Sequence, residues 1–163
     1  FRAPDNIVIP CGAGSNVLGC WIGFAELLRA GQIARMPRLF AVQPANCAPI
    51  ARAALGAPPA EPRPTIAEGT AIAAPIRLPE VVQALRETHG GAVILEEEEI
   101  ARATLELAGR GLYAEPTSAQ AAAGFGRLLR EGRIGAAQST VLLLTGTGVK
   151  ATPRIAELLG LTV

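Results

Sequence analysis

The segment Ile7-Val8-Ile9-Pro10-Cys11-Gly12-Ala13-Gly14-Ser15-Asn16-Val17 joins a short β-branched run to an apolar-periodic stretch that continues to Ala30. β-Branched residues favour a strand, the two glycines a turn, and the period a helix that Gly31 stops. A strand, a glycine-rich turn and a helix in that order form an anion holder. The glycines let backbone N–H groups face the anion, and the helix start adds the positive end of its dipole. The segment predicts a phosphorylated cofactor or substrate at the turn.

The same alternation continues along the chain. Arg38-Leu39-Phe40-Ala41-Val42, Ala92-Val93-Ile94-Leu95 and Thr140-Val141-Leu142-Leu143-Leu144 read as further strands. Helices are predicted over 17–30, 79–88, 97–108 and 118–130, with a last one opened by Thr152-Pro153. Pro79 and Pro153 fall in first turns, where a missing N–H is harmless. Short, continuously apolar strands alternating with helices predict an α/β fold. Its mostly parallel sheet would be covered by helices on both faces, as three αβα layers. Ligands in such folds sit at the carboxyl ends of strands. The Gly12 turn and the loop Thr145-Gly146-Thr147-Gly148 both follow strands there, so they are expected to face one pocket. Gly56 to Pro64 is proline-rich and aperiodic, a surface connector. Glu96 to Glu99 reads as a helix start whose charges complement the dipole. His89, ahead of Gly90-Gly91, reads as a solvated residue at a helix end.

Composition narrows the function. The chain has 163 residues, half of them apolar, which makes one domain with a real core. A net charge of +1 gives no drive towards nucleic acid or an anionic membrane, and no apolar run is long enough to span a bilayer. Lys150 is the sole lysine. Cys11, Cys20 and Cys47 are odd in number and irregular in spacing, so reduced thiols and a cytoplasmic location are expected, with no zinc site or other metal. Cys11 reads as a small apolar filler within the loop. A first residue of Phe1 and a strand starting almost at once read as a segment of something longer.

Two familiar phosphate loops do not fit. A Walker A loop needs Gly-Lys-Ser/Thr, whereas this chain has Gly14-Ser15-Asn16. A dinucleotide fingerprint places a third glycine at Val17 and an acidic residue at Gln43. A better match covers nearly the whole chain in four ordered segments. Asp5 to Asn16 resembles the cofactor-phosphate loop of threonine synthases, pyridoxal-phosphate enzymes of the tryptophan-synthase-β-like fold. Pro64-Thr65-Ile66-Ala67-Glu68-Gly69 resembles their Pro-x-Thr-Ile-Ala segment and that of dehydratase relatives. Tyr113-Ala114-Glu115-Pro116-Thr117-Ser118-Ala119 resembles their Glu-Pro-Ala/Thr-Ser-Ala turn into a helix. Leu144-Thr145-Gly146-Thr147-Gly148-Val149-Lys150 resembles Leu-Thr-Gly-His-Gly-Leu-Lys.

The resemblance implies a set of roles. Residues 1–163 would be the C-terminal portion of a pyridoxal-phosphate-binding domain, a partial copy of that fold's large domain. Gly12, Ala13, Gly14, Ser15 and Asn16 would hold the phosphate of pyridoxal 5′-phosphate, and Thr145 would hydrogen-bond the pyridine nitrogen. A hydroxyl there leaves the ring a milder electron sink than a carboxylate would. Glu68-Gly69 would border the ring, and Glu115 would hold the turn before its helix. The implied reaction takes O-phosphohomoserine and water to threonine and phosphate, on a small amino-acid substrate, in a homodimer. Thr147 stands where the family has histidine, and Ala151 where it has an acidic residue after the lysine. Those departures leave the exact substrate open, and Ala67-Glu68-Gly69, which also looks dehydratase-like, supports two alternatives within the same fold, a serine/threonine dehydratase and a diaminopropionate ammonia-lyase. A non-catalytic binding fragment and a nucleotide-binding domain are the readings outside that class. Lys150 matches the lysine of the last motif, which is not the one that forms the Schiff base. No catalytic residue is therefore assigned, and the Schiff-base lysine is expected in an N-terminal half outside these 163 residues.

Overall fold

A computed structural model of the chain describes residues 2–161. Strands β1 (Asn6–Pro10), β2 (Arg38–Pro44), β3 (Gly91–Leu95) and β4 (Thr140–Leu142) form one sheet in the order β3-β2-β1-β4. Every pairing is parallel, with Val8 opposite Phe40 and Leu142, and Val42 opposite Val93. Successive side chains of a strand point to opposite faces, and that sorts the core into two layers. Ile7, Ile9, Leu39 and Ala41 pack with Val17, Leu18, Ile50, Val81 and Leu85. Those partners come from α1 (Ser15–Arg29), α2 (Pro49–Leu55) and α3 (Leu78–Glu87). Val8, Phe40, Val42, Val93 and Leu95 face the other way, onto Ile100, Ala121 and Leu128, carried by α4 (Glu97–Gly109) and α5 (Pro116–Arg130). A short α6 (Thr152–Leu158) packs against α4. The predicted three-layer α/β architecture is what the chain forms.

The departures are local. Helix α1 starts at Ser15 rather than Val17, and α5 at Pro116 rather than Ser118, because both turns enter the helix early. Strand β4 ends at Leu142, two residues before the predicted end; Leu143 still donates its N–H to Val8 O at 3.0 Å before the chain turns away. Coverage of both sheet faces holds for β1 to β3 but not for β4, where Val141 is 45% exposed. Helix α2 has no counterpart in the sequence reading. It is seven residues long, and its first turn is fixed by tertiary contact: buried Gln43 accepts from the Ala51 N–H at 2.8 Å and donates Nε2 to Cys11 O at 2.8 Å. Gln43 thus ties the entry of the glycine turn to α2. The connector 56–64 carries no regular structure and is largely exposed, as expected.

The acidic run behaves as read. Glu96 and Glu99 form a reciprocal capping box at the start of α4. Glu99 also pairs with Arg127 of α5, and with Arg130 at 3.5 Å. Burial alone would raise the Glu99 pKa; the hydrogen bonds from Arg127 and the Glu96 backbone, with the charges of Arg127 and Arg130, outweigh it and hold the carboxyl below its ordinary value of 4.5. A depressed folded-state pKa contributes stability above the unfolded value that is lost as pH falls through the folded one. Glu99→Gln is therefore expected to cost about 1–2 kcal/mol at neutral pH. The gap between wild type and variant should close as the pH falls below 4.5. Urea melts at a series of pH values measure this directly.

Candidate functional site

The turn after β1 is shaped by what lies behind it. Gly14 caps α1 in the left-handed region at φ 90°, and no side chain caps the helix there. The N–H groups of its first turn therefore have neither an intrahelical partner nor a capping oxygen. A Cβ on Gly12 would meet Gly69 O at 3.1 Å and Thr70 Cα at 3.2 Å. A Cβ on Gly14 would sit on Val81 Cγ2, well inside contact distance. The neighbours thus leave no room for a side chain at Gly14 and little at Gly12.

This turn forms one wall of a cleft of about 300 Å³. Gly12, Ala13, Gly14, Ser15 and Asn16 line it, and Thr145 stands on another side. All six residues singled out from the sequence come to one place, at the carboxyl ends of β1 and β4. No lysine or arginine is among the lining residues, so the donors offered to an anion are backbone N–H groups and the uncharged Ser15 and Asn16 side chains. Glu115 carries the one formal charge of the lining.

Of the remaining walls, Gly69 was expected at the ring and Glu115 at the turn before its helix; Thr70 and Thr117 were not singled out. Gly69 and Thr70 form a 3-10 turn (Glu68–Thr70) that closes over the glycine loop. Helix α5 holds that turn in place. Thr117 Oγ1 accepts from the Gly69 N–H at 3.0 Å, and buried Gln120 donates to Thr70 Oγ1 at 2.9 Å. The same helix start holds the opposite loop. Glu115 N–H donates to Gly146 O at 3.3 Å, and Gly148 N–H to Tyr113 O at 2.8 Å. Ser118, fully buried in the first turn of α5, lies 3.2 Å from Thr145 Oγ1. The dipeptide Thr117-Ser118 thus fastens two walls of the cleft to one helix. The motif around it was visible in the sequence; the division of labour between its two hydroxyls was not.

Other residues fall elsewhere. Gly69 borders the cleft, but the Glu68 side chain is 74% exposed and lies 3.5 Å from Arg154. Lys150 lines a neighbouring cavity of about 430 Å³ together with Glu68, Arg154 and Glu157, and is absent from the lining of the cleft. Thr147, in the family's histidine position, accepts from the Val149 N–H at 3.5 Å and so caps a 3-10 turn. Cys11 is buried beneath the loop, and burial pushes its thiol pKa up to about 12. It fills space and offers no nucleophile. His89 is solvated, as read, but takes the left-handed conformation itself, at φ 53°. No group of three or more metal-ligating side chains occurs among the described residues, and none of their helices is long and apolar enough to cross a membrane.

The family profile described as "Pyridoxal-phosphate dependent enzyme" matches residues 1–146. The chain is 32% identical over 155 residues to threonine synthase of Methanocaldococcus jannaschii, covering 92% of this chain and 38% of that one. It is 34% identical over 151 residues to threonine synthase of Methanosarcina acetivorans, covering 90% and 37% respectively. It therefore spans about two fifths of the length of these relatives. Among solved structures, the threonine deaminase of T.th. superposes with a TM-score of 0.67 at 25% identity, over 89% of this chain and 50% of the other.

Proposed function

This chain belongs to the pyridoxal-phosphate-dependent enzymes, and from that premise we propose that it forms the cofactor-gripping part of a threonine synthase. The observation that carries the reading is the convergence of Gly12 to Asn16 and Thr145 on one cleft that has no cation in its lining. The uncapped first turn of α1 suits the cofactor's phosphate, since its N–H groups and dipole stabilise an anion without a lysine or arginine. Thr145, across the cleft, offers a hydroxyl to the ring nitrogen. Gly69 and Thr70 close one side. When bound, the cofactor supplies an electron-accepting ring that stabilises negative charge on the substrate's carbon atoms. The hydroxyl of Thr145 matches such a ring without protonating it, which suits elimination and replacement at the β and γ carbons.

The lysine that would join the cofactor and move protons is assigned to the part of the protein outside these residues, because Lys150 lines the neighbouring cavity instead. The identity to two threonine synthases favours O-phosphohomoserine as substrate, giving threonine and phosphate. A homodimer is part of the same proposal. The second reading is a threonine deaminase-like activity, favoured by the fold match at 25% identity. Assay of the full-length gene product with each substrate separates the two. The synthase reading predicts threonine and phosphate released in step from O-phosphohomoserine. Release of a keto acid from threonine, with no phosphate released from O-phosphohomoserine, would sink it.

A further inference from the structure

We infer that Gln43 is a positioning residue of the phosphate site, which sets the direction of the Gly12 N–H by holding the other side of the same peptide unit. The inference rests on the proposed cofactor site and adds to it a residue outside the lining of the cleft. Gln43 stands near the carboxyl end of β2 and is fully buried. Its Nε2 donates to Cys11 O at 2.8 Å, and its Oε1 accepts from the Ala51 N–H at 2.8 Å. A backbone carbonyl can only accept, and a backbone N–H can only donate. The amide therefore has one orientation, since a flipped one would set O against O and N–H against N–H. Ala51 is the third residue of α2, whose N-cap Ala48 supplies no side-chain bond. That end of Gln43 is thus anchored in a helix start.

The other end reaches the turn. Cys11 O has no further hydrogen-bond partner among the described residues, and the Cys11 N–H donates to Val42 O at 3.0 Å. Cys11 O and the Gly12 N–H belong to one planar peptide unit, and no peptide bond among the described residues is cis. In a trans peptide the N–H points opposite to the C=O. With the carbonyl fixed on buried Gln43, the Gly12 N–H is held pointing away from it. That N–H makes no hydrogen bond to any described residue, and Gly12 lines the cleft. A bond accepted by the carbonyl also polarises the peptide, which makes its N–H a stronger donor. Without the Gln43 donor the Cys11 carbonyl is left unpaired, and the peptide is free to rotate towards another partner.

Gln43→Glu makes the donor switchable. A protonated carboxyl presents one O–H and one C=O, as the amide does, whereas a carboxylate turns an oxygen on Cys11 O. Burial and the facing carbonyl raise the pKa of such a carboxyl. The ionisable groups on the contacting segments are Cys11, Cys47 and Arg52. Burial pushes both thiols up, Cys11 to about 12, and Arg52 turns away to Pro58 O at 3.3 Å. The test uses the full-length protein freed of its cofactor and 4-deoxypyridoxine 5′-phosphate, which has no aldehyde and so binds independently of any lysine. Each variant is compared with wild type at the same pH, so that the ligand's own titration cancels. Gln43→Met keeps the length, loses both polar ends and should bind about tenfold more weakly at every pH, the worth of one hydrogen bond. Gln43→Glu should be as weak in alkali and approach wild type in acid, a profile that a purely structural role does not give to the folded protein. A measurement on the wild type decides the matter if the variants fail to fold. With glutamine side chains ¹⁵N-labelled, the Gln43 NH2 resonance should shift on titration, although Gln43 is absent from the cleft lining. Wild-type affinity in Gln43→Met, a Gln43→Glu affinity in constant ratio to wild type across pH, or an unmoved Gln43 resonance overturns the inference. If the probe does not bind the wild type, the cofactor site itself is wrong and the inference falls with it.

Discussion

Gly14→Ala is expected to abolish the anion site and to cost roughly 3 kcal/mol of stability. Two separate causes add. The backbone at position 14 lies at φ 90°, a conformation that costs an L-residue about 1–2 kcal/mol. The new methyl also lands on Val81 Cγ2, and Val81, on α3, is fully buried. Overpacking of that kind costs about 1–3 kcal/mol. Relief of either strain moves the start of α1, and with it the N–H groups of its first turn. Gly31→Ala separates the two causes. Gly31 is also left-handed, at φ 66°, but open space surrounds it. Its substitution should cost only the backbone share, about 1 kcal/mol. Urea midpoints for both variants, with titrations of 4-deoxypyridoxine 5′-phosphate, check the pair. Equal losses in the two variants would remove the packing against Val81 from the account.

A larger loss of stability, roughly 3–5 kcal/mol, is expected for Gly90→Ala. Here the chain leaves α3 and enters β3 across the backbone of β2. A Cβ at position 90 would lie 2.6 Å from Leu39 C and 2.8 Å from Leu39 N, and closer still to Leu39 O. Those atoms belong to a central strand paired on both sides, so they cannot move without breaking the ladder. The obstacle is rigid backbone, whereas at Gly146 it is the far end of the flexible Glu115 side chain. Gly109→Ala is the contrasting case. It closes α4 with nothing near its missing side chain, and alanine there should be neutral or stabilise by about 0.5–1 kcal/mol. A fall in urea midpoint at unchanged slope identifies the effect as stability.

The parts legible in the sequence are those set by local chemistry. Ile7-Val8-Ile9, the two glycines and the apolar period to Ala30 specify a strand, a turn and a helix from neighbouring residues alone. Four such units in alternation leave few topologies, and the parallel sheet followed. Local reading stopped where a residue's role depends on something distant in the chain. Gln43 reads as a missing acidic residue until Cys11 and Ala51 are seen around it. Gly90 reads as a helix stop, whereas its requirement comes from Leu39, far earlier in the chain. Val141 reads as a buried strand residue, yet its exposure depends on what neighbours β4 in space. The site divides the same way. Its floor, Gly12 to Asn16, is one continuous segment and was read directly. Thr70, Thr117 and Ser118 enter through contacts between separate elements, so their types alone carried no signal.

The central claim is that the turn Gly12 to Asn16 grips a phosphate while Thr145 meets the attached ring. The most direct measurement is a map of backbone amide resonances in the ¹⁵N-labelled chain, titrated with 4-deoxypyridoxine 5′-phosphate. The account predicts that the amides of Gly12, Ala13, Gly14, Ser15 and Asn16 move furthest, with Thr145 and Gly146 moving alongside. The form of the ligand lacking phosphate should leave the glycine turn unmoved. Shifts centred instead on Lys150 and Arg154, or equal shifts with and without the phosphate, would contradict it.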